Sequence, residues 1–244
     1  AVPWEPDWRT LKKIDLRARQ LESCIALSEH LPHVQEVWLD HNQVSFAMGI
    51  PSSVRLLTAS HNVMSELTSF EHLKRLRVLD VCHNEFASLM PFVHLTELRE
   101  LRADHNRITD LRGLEQCTSL RRLSLAHNEL GGCVDVSGMC WPALESLSLA
   151  HNRIHTIAGL ESVAALQELD ADDNQLTTLP LTRTMPQLRV LRLCDNTALD
   201  TLDVSCMPHL RVLYADRCRL ASIEALSTAR DLRHLSPVSY THLT

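Results

Sequence analysis

Six histidines, His41, His61, His83, His105, His127 and His151, recur at intervals of 20, 22, 22, 22 and 24 residues, each directly before an Asn. The column continues as Asp173, Asp195 and Arg217. Imidazoles bind metals and change charge near neutral pH, so a regular row of them invites both readings. A metal centre needs three or four ligands converging on one point, whereas identical side chains one strand apart diverge. A structural role is therefore expected. Imidazoles about 5 Å apart repel one another when protonated, so their folded pKa values should fall below about 6.5. Asp104, His105 and Ser124 also fall close together in the repeat, but on a flat surface without a pocket or oxyanion donors. The chain contains only six Gly, no Gly-rich phosphate loop, no GxSxG elbow and no HExxH helix motif. No catalytic residue, no metal site, no cofactor and no small-molecule substrate is expected.

The elements that carry these residues are set by the Asn that follows them. Asn42, Asn62, Asn84, Asn106, Asn128, Asn152, Asn174 and Asn196 form one series. Five residues before each stands Val37 or a Leu, from Leu57 to Leu191, and two after stands Val44, Met64, Phe86, Ile108, Leu130, Ile154, Leu176 or Ala198. A unit this short cannot bury its apolar face alone, so the period predicts a stacked solenoid. Leu123 and Leu125 alternating with Arg122, Ser124 and Ala126 predict a short strand, apolar inward and polar outward. Each Asn amide is expected to bridge backbone groups of neighbouring coils. Leu67, Leu89, Leu111, Ile157, Leu179 and Ile223, the fifth place after the Asn, are expected to line the core on the return arm. Pro32, Pro142, Pro186 and Pro208 stand ten residues before an Asn or Cys, so the return arms should be extended or single helical turns.

The string Leu120, Leu123, Leu125, Asn128, Leu130 repeats as Leu144, Leu147, Leu149, Asn152, Ile154. This LxxLxLxxNxL pattern resembles the leucine-rich repeat. Weaker copies stand at Ile14, Leu16, Arg19, Leu21 and at Leu210, Leu213, Ala215, Cys218, Leu220. The 22-residue period and the phrases running from Ile108 to Leu114 and from Ile154 to Leu160 are similar to one class of the family. That class includes the leucine-rich regulatory subunit of type-one protein phosphatase and several axonemal and spliceosomal proteins. The resemblance implies an α/β solenoid, a right-handed superhelix with a concave parallel β-sheet of about ten strands and short helical or extended convex arms. At about 4.8 Å per strand the groove would be about 45–50 Å long.

Outward strand positions form columns across this face. One reads Trp38, Thr58, Asp80, Arg102, Ser124, Ser148, Asp170, Arg192, Tyr214; the next reads Asp40, Ser60, Cys82, Asp104, Ala126, Ala150, Asp172, Cys194, Asp216. The candidate protein-binding residues are Trp38, Asp40, Asp80, Arg102, Asp104, Arg122, Asp170, Asp172, Arg192, Tyr214 and Asp216. Trp38 and Tyr214 are expected as exposed anchors at opposite ends, and Asp80 with Arg102 and Asp170 with Arg192 as lateral pairs. Acidic residues gather in the C-terminal half at Glu168, Asp170, Asp172, Asp173, Asp195 and Asp216. In the phosphatase regulators, acidic and aromatic groove residues contact the phosphatase; Trp38, Asp80, Asp104, Asp170, Tyr214 and Asp216 occupy comparable positions. A protein partner with a basic surface is therefore expected. The alternatives are a structural component of a ciliary, flagellar or cytoskeletal complex, and the recognition part of a larger enzyme truncated at its C-terminus.

A formal charge of −6 argues against nucleic-acid or anionic-membrane partners. No segment has the apolar length of a membrane span. The eight Cys form no CxxC pair; Cys24 and Cys133 fall at the core place of Leu111, and Cys218 at the Asn place. This usage points to a cytoplasmic or nuclear setting, and the resemblance to axonemal proteins adds a flagellar one. Three segments are expected: residues 1–13 as an N-terminal lead or partial cap with Trp4 and Trp8, residues 14–235 as the solenoid, and residues 236–244 as a non-native tail, because it resembles a translated sequencing adapter. Leu232 and Leu235 begin an eleventh repeat, where Pro237 takes a core Leu place.

Overall fold

The computed structural model describes residues 8–220, 222–224 and 226–236, with the side chains of 222–224 and 226 left aside. Expectations for Trp4, for the side chain of Ile223 and for residues 237–244 lie outside these. Each of the nine inner strands of the sheet is three residues long with its central residue buried, as in Val37, Leu79, Leu101 and Leu147, while both flanking residues face out. A side chain can alternate faces only in extended backbone, and the tight return arms keep the strand from growing longer. The strands run from Lys13–Asp15 through Glu36–Trp38 and onward to Val212–Tyr214, and all pair in parallel in chain order. The sheet holds eleven strands, in keeping with the expected ten or so. The eleventh, His234–Leu235, pairs with Val212 and Leu213.

The Asn residues close each strand. In the Asn106 coil, Nδ2 donates to the carbonyls of Ala103 and Asp104 in its own coil and of Val81 in the preceding one, while Oδ1 accepts the Phe86 N–H. The same pattern repeats at Asn62, Asn84, Asn128, Asn152, Asn174 and Asn196, all buried. Backbone groups that a sharp turn strands inside the coil are satisfied by one amide.

The residue before each Asn must turn the chain with positive φ, between +53° and +58° for the six His. Asp173, Asp195 and Arg217 hold the same conformation. His and Asp tolerate this left-handed region better than most residues, which accounts for their occupancy of the slot. The imidazoles stack face to face with centroids 3.9–4.3 Å apart, closer than the sequence spacing suggests.

Return arms are mostly turns, with, among the described residues, one short α-helix at Leu27–His30, three 3-10 turns, and two short parallel strand pairs, Gly131–Asp135 with Arg153–Ala158 and Thr201–Asp203 with Ser222–Glu224. Gly113 lets two arms touch: with φ +108°, a Cβ there would stand 2.4 Å from Leu89 O. Leu89, Leu111, Ile157 and Leu179 line the core as expected, but Leu67 does not. It is 75% exposed. Thr68 takes the inward place, its hydroxyl donating to Ser45 O and accepting the Ser65 N–H, and Phe70 fills the core beyond it. Cys133 is exposed as well. In that 24-residue coil a register shift between Gly132 and Cys133 turns Val134 and Val136 inward instead.

Candidate functional site on the concave face

The strand register sets Trp38, Thr58, Asp80, Arg102, Ser124, Ser148, Asp170, Arg192 and Tyr214 side by side in one row. Eight strand spacings separate its aromatic ends, about 38 Å. Both aromatics are half-buried rather than fully exposed. Tyr214 tilts against His234 at 5.1 Å and carries the Arg192 guanidinium 4.7 Å above its ring. That placement draws Arg192 away from Asp170, so the expected lateral pair is not formed. Asp170 instead accepts the Asp172 N–H at 3.2 Å.

In the middle of the face, Arg102 reaches Asp80 at only 3.9 Å and Glu100 at 3.5 Å, while Arg122 also reaches Glu100 at 3.5 Å. Glu100, a half-buried carboxylate one residue from Leu101, thus serves two guanidinium groups, a role its place in the sequence did not single out. The geometry is loose and the arginines are well exposed, so these pairs contribute roughly 0–1 kcal/mol. They leave both guanidinium groups able to change partners.

The second column behaves differently. Asp40 accepts the Thr58 hydroxyl at 2.7 Å and both the N–H and hydroxyl of Ser60 at 2.9 Å. Asp104 accepts the Ser124 hydroxyl at 2.6 Å and the Ala126 N–H at 2.7 Å. Asp172 accepts the Cys194 N–H at 2.6 Å, and Asp216 the Cys194 thiol at 3.6 Å. These carboxylates staple one coil to the next. Burial, then the charge of Asp170, pushes the Asp172 carboxyl above its usual range. Burial likewise pushes the Cys194 thiol up to about 12. Of the acidic cluster, Asp173 is bound by His151 Nδ1 at 2.7 Å and Asp195 by Arg217 at 2.5 Å. The groups presented with only weak or exposed contacts are therefore Trp38, Asp80, Arg102, Arg122, Asp170, Arg192 and Tyr214.

His61, His83, His105 and His127 are held below the ordinary imidazole value, first by desolvation and next by the charge of the following imidazole. Mutual repulsion is thus the second cause, not the first. Among the described residues, no group of three or more His, Cys, Asp or Glu is placed to hold a metal ion. No described helix is long and apolar enough to cross a membrane.

A model for two copies of leucine-rich repeats matches residues 96–135, and a leucine-rich repeat model matches residues 118–176. A leucine-rich repeat protein of Leptospira interrogans superposes with a TM-score of 0.75 at 20% identity, over 95% of this chain and 67% of that one. Residues 96–176 thus match leucine-rich repeats, and the fold of the described chain is that of a leucine-rich repeat solenoid. The same solenoid is seen in the glycosylated Toll–Spatzle complex of Drosophila, with a TM-score of 0.73 at 23% identity over 93% of this chain and 36% of that one. An internalin of Listeria monocytogenes gives 0.62 at 16% identity over 95% and 88%. In sequence, 75 residues of the solenoid are 39% identical to the septation initiation network scaffold protein cdc11 of Schizosaccharomyces pombe. That segment spans 31% of this chain and 7% of the yeast protein. Neither matching family model describes an enzyme.

Proposed function

We propose that this chain is a non-catalytic scaffold that docks a partner protein along its concave face. The observation that carries this reading is the row Asp170, Arg192, Tyr214 on three adjacent strands, with Trp38 at the far end. It offers an aromatic ring with a guanidinium stacked on it, beside a carboxylate whose one hydrogen bond among the described residues is to a backbone N–H. Aromatic and Arg side chains of this kind concentrate binding energy in protein interfaces. Glu168, exposed on the same strand as Asp170, adds a second carboxylate beside the row, so a basic partner surface fits best. Toll, of similar fold, is solved in complex with Spatzle, which supports docking of a protein rather than a small molecule. The resemblance to the phosphatase regulators makes type-one protein phosphatase the concrete partner of this reading. A cytosolic, nuclear or flagellar setting goes with it, in keeping with eight unpaired thiols.

Titration of the chain against purified phosphatase catalytic subunit tests that form. Saturable binding weakened about tenfold by Asp170→Lys and by Tyr214→Ala is expected; absence of binding removes the phosphatase from the reading.

The match to cdc11, itself named a scaffold of the septation initiation network, favours a second reading. In it the solenoid is one docking module of a larger structural assembly. Localisation of a tagged full-length copy to a cytoskeletal structure, unaffected by the concave substitutions, would favour that reading over phosphatase regulation.

A further inference from the structure

Apart from the concave row, the first four coils carry an apolar surface on their return arms. Ile25 is 60% exposed, Phe46 54%, Met48 68%, Leu67 75% and Met90 53%. Every large exposed apolar side chain among the described residues, Trp8 and Val63 included, falls between residues 8 and 90. Single exposed apolar residues need no explanation, but a contiguous group marks an interaction surface.

The group is contiguous. Phe46, Met48, Leu67 and His72 line a depression of 430 Å³. Phe46 and Met48 also border a second of 200 Å³ with Glu22 and Ile25. Leu67 borders a third of 270 Å³ with Glu66, Glu71 and Met90. Gly49 holds the first two arms together: its φ is +89°, and a Cβ there would stand 2.3 Å from the Ile25 Cα. The result is one shallow groove crossing four arms.

We infer that this groove binds a basic amphipathic helix of a partner protein. Three strand spacings separate four coils, so the apolar line from Ile25 to Met90 is at least about 15 Å long. That length matches about ten helical residues, or three turns, which would place apolar side chains at i, i+3 or i+4, and i+7. Two Met residues give the groove the adaptable lining that suits such a helix. The charged residues lining the three depressions are Glu22, Glu66 and Glu71, none of them in an ion pair among the described residues, alongside His72 and His94. Lys74 stands beyond His72, at the margin. Lys or Arg flanking an apolar stripe would meet these carboxylates. A second copy of this chain would instead set the same three carboxylates against each other, at a cost in like-charge repulsion.

The test is fluorescence anisotropy of the whole chain with three labelled peptides of about 14 residues. One has a Leu stripe flanked by Lys, one has the same stripe flanked by Glu, and one has the Lys with the Leu positions scrambled. The first should bind at least about tenfold more tightly than either control. Leu67→Ser with Met48→Ser should abolish that difference, and Glu66→Gln with Glu71→Gln should reduce it. These side chains are on the surface, and circular dichroism and thermal melting confirm that the variants fold. Asp170→Lys on the concave face should leave peptide binding unchanged, which separates this groove from the concave reading. Equal binding of the Lys and Glu peptides, or binding insensitive to Leu67 and Met48, would overturn the proposal. So would sedimentation showing a dimer that Leu67→Ser dissociates, with no peptide bound.

Discussion

Asp40 Oδ1 accepts both the backbone N–H and the hydroxyl of Ser60, each at 2.9 Å, across the boundary between two coils. A carboxylate used in this way holds the solenoid together and has little left for a partner. Asp40→Ala should therefore lower stability by about 1–3 kcal/mol, because it strands donors of the next coil, while Asp80→Ala should change it by less than about 0.5 kcal/mol. Urea denaturation distinguishes them. Equal effects would place Asp40 with the groups that make only weak or exposed contacts.

Asn106 makes four hydrogen bonds to three carbonyls and one N–H, spread over two coils. Replacing it by Ala leaves these groups without partners in the interior. A loss of about 3 kcal/mol in unfolding free energy is expected. His105→Asn on the adjoining residue, which keeps a side chain that tolerates positive φ, should cost far less. A mild Asn106→Ala phenotype would mean that the coils are held mainly by leucine packing.

The histidine stack sets the acid response. His61, His83, His105 and His127 bind protons less readily in the folded chain than in the unfolded one. As pH falls, the unfolded state takes up protons first, so stability from this source is present above about 6.5 and is lost as pH falls through the window below it. Thermal midpoints should drop between pH 7.5 and 5.5. The drop should shrink when all four are replaced by Asn. A flat profile would show that the stack does not resist protonation.

The thiols should divide by burial. Cys133 and Cys140 are exposed, whereas Cys24, Cys117 and Cys218 are buried. Burial also pushes the Cys24 and Cys117 thiols up to about 11. An aromatic disulfide reagent at neutral pH should label Cys133 and Cys140 rapidly and the buried three only on unfolding. Rapid labelling of Cys117 would contradict the closed core around it.

The periodic part of this protein was legible in its sequence for a physical reason: every coil repeats the same burial problem. Leu123 inward and Asn128 bridging follow from that repetition alone, whereas the positive φ that His127 adopts at the turn shows only in the structure. Legibility failed where one coil departs from the others. Leu67 stands in the core place by count, but Thr68 is turned inward by its bonds to Ser45 and Ser65. Cys133 misses the core because a bulge in its long coil presents Val134 instead. On the concave face, the columns came directly from the spacing. Which members were already committed did not: that the second-column Asp40 is spent on the hydroxyls of Thr58 and Ser60 shows only in the structure. The convex groove was not legible although Ile25, Met48 and Met90 each stand six places after Arg19, Asn42 and Asn84, because the same place in the Asn62 coil, Thr68, is turned inward.

The central claim is that a partner protein grips the row formed by Asp170, Arg192 and Tyr214. Its most direct test is quantitative capture from cell lysate on three immobilised proteins: the unaltered chain, the concave variant Asp170→Lys with Tyr214→Ala, and the convex variant Met48→Ser with Leu67→Ser. The account predicts at least one abundant partner that the unaltered chain and the convex variant retain and the concave variant loses. An identical set of captured proteins on all three would contradict it.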